Sequence, residues 1–328
     1  MDFLILLQKY SFLNKMSIGV YYESWSMPWS SSSTSNDLAN LNSHANTVYL
    51  SFAQPDNTYL KGQNTFSNTG LQFSSDFSII VQTISVLRKR GVKVFLSVGG
   101  GSYWSSVKVL NPLGCTDLMN DLGCDGIDID WEVGISDTQS VINAINSLGP
   151  LMNGKILSFT CFSTGANPPV TGDIYSGMNV RPIATCKNYI NQVNVMAYDA
   201  GPSFDSQAAF KAYQSIYDGS INLGFEIGKQ GWGSALLMGP ELIQNTTFVK
   251  NTSKDNGVFF WAYYSQPYNG SISFTDAIST VASIISPIYP PPPPAPTPPK
   301  TKPTYSCPSS VYILCPTCKT KILNSWSI

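Results

Sequence analysis

Short apolar runs recur along the chain, and most of them are rich in β-branched and aromatic residues. Runs of this kind predict buried β-strands. We predict eight strands, near residues 17–22, 47–53, 92–98, 125–131, 156–162, 192–198, 221–226 and 257–263. Apolar residues at helical spacing lie between several of these strands, over residues 77–90, 138–148, 205–217 and 275–285.

The alternation of strands and helices predicts the architecture. Strands that alternate with helices form βαβ units and therefore a parallel sheet. Eight units over residues 17–286 predict an α/β fold, a closed (β/α)8 TIM barrel. The alternative is a doubly wound open sheet, which usually carries a glycine-rich phosphate-binding turn after its first strand. Residues 21–25, YYESW, are nothing like that turn, so the barrel is favoured.

Three segments lie outside the predicted barrel. Residues 1–16 form an N-terminal extension. Residues 287–303 are mostly proline, which favours extended polyproline II structure and a stiff linker. Residues 304–328 form a tail that is too short to bury a core alone. The tail contains Cys307, Cys315 and Cys318. Because a structural zinc site needs four ligands, we favour a disulfide or free thiols there.

The composition restricts the class of partner. Hydrophobic residues make up 43% of the chain, charged residues 12%, and the formal net charge is -1. Charged residues usually make up about a quarter of a protein, and no basic patch stands out. The charge therefore argues against a nucleic-acid or anionic-membrane partner. A neutral polymer such as a polysaccharide fits this balance better.

The compartment is less well defined by the sequence. No apolar run reaches the length of a transmembrane helix. The N-terminus has Asp2 where a signal peptide carries positive charge, and it lacks a small-residue cleavage site. Three glycosylation sequons, at Asn245, Asn251 and Asn269, favour an extracellular location.

Four cysteines are dispersed through the predicted barrel: Cys115, Cys124, Cys161 and Cys186. Their scattered spacing is not that of a disulfide scaffold, and we interpret them as small buried thiols. A Cys124–Cys161 or a Cys115–Cys124 disulfide stays open as an alternative.

Residues 124–134, CDGIDIDWEVG, crowd acidic side chains into a chain with few charges. Because side chains alternate between the two faces of a strand, Asp128, Asp130 and Glu132 share one face, and the apolar residues between them share the other. In a barrel the acidic face points into the lumen, and Glu132 lies nearest the C-terminal end, where active sites form. Carboxyl groups this close cannot all ionise cheaply, so one of them acquires a raised pKa.

Two other interpretations of this acidic row are open. Arginine or lysine could neutralise it, but the predicted strands offer almost no cation, and Lys93 precedes the apolar part of the third strand. Oxygen ligands also suit Ca²⁺ or Mg²⁺, but the linear spacing of a strand does not wrap around a cation. We therefore favour a carboxylic acid kept protonated near neutral pH, with no metal and no cofactor.

The same stretch carries a family resemblance. Residues 125–132, DGIDIDWE, match every position of the DxxDxDxE signature of family 18 glycoside hydrolases, the chitinase family. Residues 96–100, LSVGG, resemble the family's SxGG on the third strand, and residues 192–199, QVNVMAYD, resemble its sixth-strand QxNxMxYD. Trp261 falls where the family keeps a tryptophan as the floor of the sugar site. The resemblance covers residues 17–286.

The resemblance implies a retaining reaction in which the substrate's own N-acetyl group is the nucleophile. Glu132 would protonate the glycosidic oxygen and then act as a base toward water. Asp130 would orient the acetamide, and Asp128 would hold a proton with Asp130. Tyr198 would donate its hydroxyl to the acetamide carbonyl. The substrate-binding residues that we predict are Asp199, Met196, Trp261, Tyr22 and Gln192.

The loops after the strands add two expectations. Their aromatic rings suit sugar faces, and those residues are Tyr22, Trp25, Trp29, Tyr103, Trp104, Trp232 and Tyr264. Many chitinases of the family insert an α+β subdomain between the seventh and eighth strands, but residues 227–256 are too few to hold one. The resemblance therefore implies an open cleft that cuts within a polymer. Residues 101–123 are also few, so we expect a shortened helix there.

The resemblance as a whole implies an endo-acting chitinase with chitin or chitooligosaccharides as partners. An endo-β-N-acetylglucosaminidase acting on glycoprotein glycans shares the machinery and stays an alternative. A non-catalytic chitin-binding lectin is another, but such members typically lose the acid equivalent to Glu132, which is present here. We therefore expect an enzyme, acting as a monomer.

Overall fold

Eight parallel strands close into a barrel in a computed structural model of the chain, which describes residues 16–103, 109–201, 204–230, 236–253 and 255–285. The strands are β1 Ser17–Glu23, β2 Thr47–Ala53, β3 Lys93–Gly99, β4 Gly126–Asp130, β5 Ile156–Phe162, β6 Gln192–Met196, β7 Ser220–Glu226 and β8 Gly257–Trp261. Each strand pairs with the next one in the chain, and β1 pairs with β8 to close the barrel. The predicted (β/α)8 barrel is confirmed, and the open sheet is wrong.

Each helix follows a strand along the chain. In the described residues they are α1 Phe77–Lys89, α2 Pro112–Leu122, α3 Thr138–Leu148, α4 Val180–Cys186, α5 Ser206–Gln214, α6 Gly239–Thr252 and α7 Phe274–Ile285. Residues 24–46, between β1 and β2, contain a 3-10 turn but no α-helix. In this connection Asn36 Oδ1 accepts a hydrogen bond from the Ala39 N–H at 2.7 Å, and such side-chain bonds compete with helix formation.

The helix between the third and fourth strands differs from its prediction. We expected a shortened helix, but α2 has 11 residues, as many as α3. Pro112 begins α2, Asn111 caps it by accepting a hydrogen bond from the Gly114 N–H at 3.1 Å, and Gly123 ends it in the left-handed conformation. These start and stop residues fit a full helix into a short segment.

The barrel lumen is filled by aromatic rings that face one another across the strands. They include Tyr21, Tyr49, Phe95 and Phe259, and the ring centroids of Tyr21 and Tyr49 lie 4.6 Å apart. Glycines make room for these rings. A Cβ atom on Gly126 would overlap the carbonyl oxygen of Ile156 and lie 2.9 Å from the Phe95 ring. Large and small residues therefore alternate to fill the lumen, as in other small barrels.

Several predicted features lie outside the described residues, namely residues 1–15, 287–303 and 304–328, together with Trp104 and Trp232. Of the helices described, none has the length and apolar character needed to cross a membrane. Cys115, Cys124, Cys161 and Cys186 are buried and unbridged, as the interpretation of small buried thiols predicted.

We predict that Gly126→Ala destabilises the barrel. The added methyl group would meet the backbone of β5, which cannot move without disturbing the sheet, and overpacking of this kind costs about 1–3 kcal/mol. The midpoint of urea-induced unfolding, followed by far-UV circular dichroism, should fall. Gly239→Ala is the control, because no atom lies within 4 Å of a Cβ at that position. Equal midpoints for the two variants would contradict the tight packing.

Candidate active site

Asp128 lies on β4, and its side chain is completely buried in the lumen. Side chains from β1, β3, β5 and β6 donate hydrogen bonds to its carboxylate. The donors are Tyr21 at 2.9 Å, Ser97 at 2.8 Å, Ser158 at 2.7 Å, Thr160 at 2.9 Å and Asn194 at 3.3 Å. Burial raises the pKa of Asp128, and the hydroxyl donors oppose that shift because they stabilise the charged form.

Asp130 has the opposite surroundings, although it is only two residues further along β4. Its side chain is buried, and its Oδ1 atom has no hydrogen-bond partner. Burial, the charge of Glu132 and the charge of Asp128 raise the pKa of Asp130 well above its usual value. Each of these effects disfavours another buried negative charge. Ionisation of Asp130 is therefore disfavoured, and its Oδ1 atom is available to a ligand.

Glu132 follows the C-terminal end of β4 and is partly exposed. Burial raises the pKa of Glu132 to about 6; a hydrogen bond from the Gly101 N–H opposes the shift, and the charge of Asp199 adds to it. A carboxyl group with this pKa is protonated in mildly acidic solution and can still release its proton, which is what a general acid requires.

The glycine-rich turn after β3 holds this end of β4 in place. The Gly100 N–H donates to the backbone carbonyl of Asp130 at 2.8 Å. Gly99 has a φ of 115°, and a Cβ atom there would overlap the same carbonyl. Glycine is needed because both the backbone conformation and the close approach exclude a side chain.

Tyr198 and Asp199 lie after the end of β6, on another side of the lumen. Burial and then the charge of Asp130 raise the pKa of Tyr198 well above its usual value, so its phenol stays protonated and can donate a hydrogen bond. Asp199 is exposed and has a left-handed backbone (φ 53°), and its N–H donates to Gln230 Oε1 at 3.0 Å. A phenol donor thus stands close to the acidic row.

A row of aromatic rings leads outward from the lumen. Phe52 belongs to the lumen cluster, since the register between β2 and β3 shifts between Leu50 and Ala53. Its ring stacks on Trp261 at 5.6 Å and on Trp25 at 6.2 Å between centroids. Trp25 is 43% exposed. Phe52 is itself buried, so Trp25 and Trp261 are the rings of this row that suit sugar faces.

The structure brings most of the predicted site residues to one end of the barrel or into the lumen below it. These are Glu132, Asp130, Asp128, Tyr198, Asp199, Met196 and Trp261. Among the other predicted loop aromatics, Trp29 is 67% exposed, whereas Tyr103 donates a hydrogen bond to the Gly70 carbonyl at 3.2 Å. In the part of the chain that the structure describes, no group of three or more His, Cys, Asp or Glu side chains could hold a metal ion.

Two predicted binding residues lie elsewhere. Tyr22 is completely buried in the outer layer, where its hydroxyl lies 2.8 Å from that of Tyr264. Tyr21 is the residue of that pair that faces the lumen, because neighbouring side chains point to opposite faces. Gln192 begins β6, at the end away from the mouth, and its Nε2 donates to the Tyr49 hydroxyl at 2.7 Å. Both assignments are therefore corrected to supporting positions.

Sequence reasoning missed several residues that surround the acidic row. Ser158, Thr160 and Asn194 occupy alternate positions of predicted strands, so strand alternation could have found them. Phe52 could not be found in this way, because the register shift in β2 breaks the alternation. Glu226, the last residue of β7, has the same alternation as Asn222, whose Nδ2 donates to Asn194 in the lumen at 2.9 Å.

The fold and the site together place the chain among (β/α)8 barrel proteins that carry an acidic site at the C-terminal end of a strand, here β4. Residues 17–232 match the family described as Glycosyl hydrolases family 18, and the chain belongs to this family. A curated relative is Endochitinase 1 from Metarhizium robertsii, which is 25% identical over 158 residues. That match covers 43% of this chain and 37% of the relative, so the chain spans well under half of the relative's length.

Solved structures share the fold. A GH18 chitinase from Pseudoalteromonas aurantia has a TM-score of 0.61 and 20% identity, covering 82% of this chain and 99% of that one. A xylanase and alpha-amylase inhibitor protein from Scadoxus multiflorus has a TM-score of 0.50 and 18% identity, covering 82% and 97%. One fold thus occurs in proteins described as an enzyme and as an inhibitor, and activity must be argued from the site.

We predict that the Glu132→Gln substitution raises the free energy of unfolding, relative to the wild type, more at pH 8 than at pH 4. The pKa of Glu132 is about 6 in the folded protein and about 4.3 when unperturbed. Its stabilising contribution is therefore present below the unfolded pKa and is lost as the pH rises through the folded pKa. The amide has no charge to bury, so the variant should gain on the wild type in urea unfolding at pH 8.

Asp173→Asn is a control of opposite sign. Hydrogen bonding, first from Ser176, lowers the pKa of Asp173, so this carboxylate stabilises the fold above its unfolded pKa and loses that effect as the pH falls. The amide should therefore weaken the protein at pH 8. A Glu132→Gln effect that is the same at both pH values would argue against a raised pKa for Glu132.

Proposed function

We propose that the chain is a chitinase that cuts β-1,4-linked N-acetylglucosamine polymers internally, with retention of configuration and with the substrate's acetamide as nucleophile. The observation that supports this most is Asp130, a buried carboxyl group with a raised pKa and an unpartnered Oδ1. An acetamide N–H is a donor that such an oxygen accepts. The neighbouring Glu132 supplies an acid of suitable pKa.

In the proposed reaction, Glu132 transfers its proton to the glycosidic oxygen, and the bond from that oxygen to C1 breaks. The acetamide carbonyl oxygen of the same sugar attacks C1 and closes a cyclic oxazolinium ion. Asp130 orients the acetamide through its N–H, and the Tyr198 phenol donates to the carbonyl oxygen. A water molecule then gives a proton to Glu132 and attacks C1, which reopens the ring and restores the acetamide.

The surroundings of the acid support a polymer substrate. Trp261 and the exposed Trp25 are linked through the buried Phe52 ring, so sugars could stack on the two tryptophans. The described part of residues 227–256 is a loop followed by α6, which leaves this side of the mouth without an extra subdomain. We infer from this an open cleft, which would favour cutting within a chain.

We predict that Glu132→Gln lowers turnover of a 4-methylumbelliferyl chitooligosaccharide by about 10²–10⁴, because an amide cannot deliver a proton. The Kd for chitotetraose, measured by calorimetry, should stay within a few-fold, since the side chain keeps its shape. Asp218→Asn is the matched control, as this exposed residue precedes β7 at the other end of the barrel. Turnover of Glu132→Gln close to that of the control would refute the role of Glu132.

The stereochemistry of the product gives an independent prediction. Two successive inversions at C1 should release the β-anomer first, as followed by proton NMR during hydrolysis of chitohexaose. Fully deacetylated chitosan should not be cleaved, because a free amine has no carbonyl oxygen with which to attack. Early α-anomer, or equal cleavage of chitosan, would rule out the acetamide as nucleophile. Cleavage of a high-mannose glycopeptide in preference to chitohexaose would reassign the substrate.

A further inference from the structure

Glu226 is an acidic residue of the mouth that the proposed reaction does not use. It is the last residue of β7 and pairs in register with Trp261, the last residue of β8. Its alternation along β7 is that of Asn222, which bonds to Asn194 inside the lumen. The Glu226 side chain therefore points into the barrel beside Trp261.

Glu226 shares a proton with a second carboxyl group. Its side chain is hydrogen-bonded to that of Asp199, and burial, the charge of Asp199 and this hydrogen bond raise the pKa of Glu226 to about 8. Two carboxyl groups can hydrogen-bond only when one of them is protonated, so the pair holds one proton between them. One of the Glu226 oxygens is thus occupied by the hydrogen bond to Asp199.

The other oxygen of Glu226 is left without a partner. Oε2 is buried, and no hydrogen bond to it is formed. Among the described residues the ion pair is Arg88 with Asp125, so no described cation compensates Glu226. A buried acceptor without a donor is uncommon in proteins, and it calls for a ligand or another explanation.

We propose that Glu226 is a substrate-binding residue whose Oε2 accepts a hydrogen bond from a ring hydroxyl of the sugar that stacks on Trp261, while its other carboxyl oxygen stays hydrogen-bonded to Asp199. A sugar lying flat on an aromatic ring directs its hydroxyls outward at the ring edge, which is where a side chain from the neighbouring strand lies. This proposal rests on the proposed function for the identity of the sugar.

Two substitutions separate this role from a packing role. Glu226→Gln keeps both hydrogen bonds, because its amide N–H can donate to Asp199 and its carbonyl can accept from the hydroxyl. We expect this variant to lose no more than about threefold in kcat/KM. Glu226→Leu keeps the approximate volume but neither bond, and we expect it to lose about 10–100-fold. Equal losses in the two variants would overturn the assignment.

Deoxy substrates test the contact itself. We would compare 4-methylumbelliferyl chitobiosides that carry a 3-deoxy or a 6-deoxy sugar next to the cleaved bond. One of them should lose about tenfold or more with the wild type but under threefold with Glu226→Leu, since a contact that is already absent cannot be lost again. If both analogues lose as much with Glu226→Leu as with the wild type, Glu226 does not bind either hydroxyl.

A binding measurement keeps this proposal separate from the proposed reaction. In the Glu132→Gln background, Glu226→Leu should weaken the calorimetric Kd for chitotetraose about tenfold or more, and circular dichroism would verify the fold of each variant. If the wild type shows no turnover but Glu226→Leu weakens the Kd in the Glu132→Gln background, the proposed reaction alone is refuted. Turnover of the wild type with an unchanged Kd would refute the role of Glu226 alone.

Discussion

The buried carboxylate of Asp128 is the interaction on which the rest of the site depends. A charge inside a barrel is tolerated only when it is fully hydrogen-bonded, and the donors to Asp128 come from four other strands. Each donor has to occupy a lumen-facing position at the height of Asp128 in the barrel, so the Asp128 carboxylate constrains the register of most of the strands. Its charge also disfavours ionisation of Asp130 and so contributes to the raised pKa of that group.

The polar network continues below Asp128 and explains residues that do not reach the mouth. Asn194 Nδ2 donates to Ser158 at 3.0 Å, and Gln192 Nε2 donates to Asn194 Oδ1 at 2.9 Å. Gln192 thus orients Asn194, which in turn bonds to Asp128. The sixth-strand motif consequently combines two kinds of residue: Gln192 and Asn194 support the carboxylate, whereas Tyr198 and Asp199 stand near the mouth.

The sequence was sufficient for all eight strands, because each is a short apolar run between turns, and for the face of the acidic row, because strand alternation is strict within β4. The sequence pattern was insufficient where the orientation of a side chain depends on the observed strand boundaries, on strand register or on contacts between strands. Tyr22 is the last residue of the predicted strand 17–22, but β1 continues to Glu23, and alternation within β1 turns Tyr22 outward and Tyr21 inward. Phe52 depends on an irregular register. The role of Glu226 depends on its approach to Asp199 from another strand, which no local pattern reveals.

The unpartnered carboxyl oxygens connect stability with specificity. An unsatisfied buried polar atom costs about 1–3 kcal/mol, and among the described residues Asp130 Oδ1 and Glu226 Oε2 are the carboxyl oxygens in this state. Both belong to groups whose pKa is raised, and both face the same mouth, so a ligand that brings an N–H and an O–H would satisfy them together. A sugar that lacks the acetamide would leave Asp130 unsatisfied, and a site that loses a hydrogen bond to its own buried group discriminates strongly against such a ligand. Rejection of plain glucans would then follow from an unsatisfied hydrogen bond at Asp130 Oδ1, without any steric barrier.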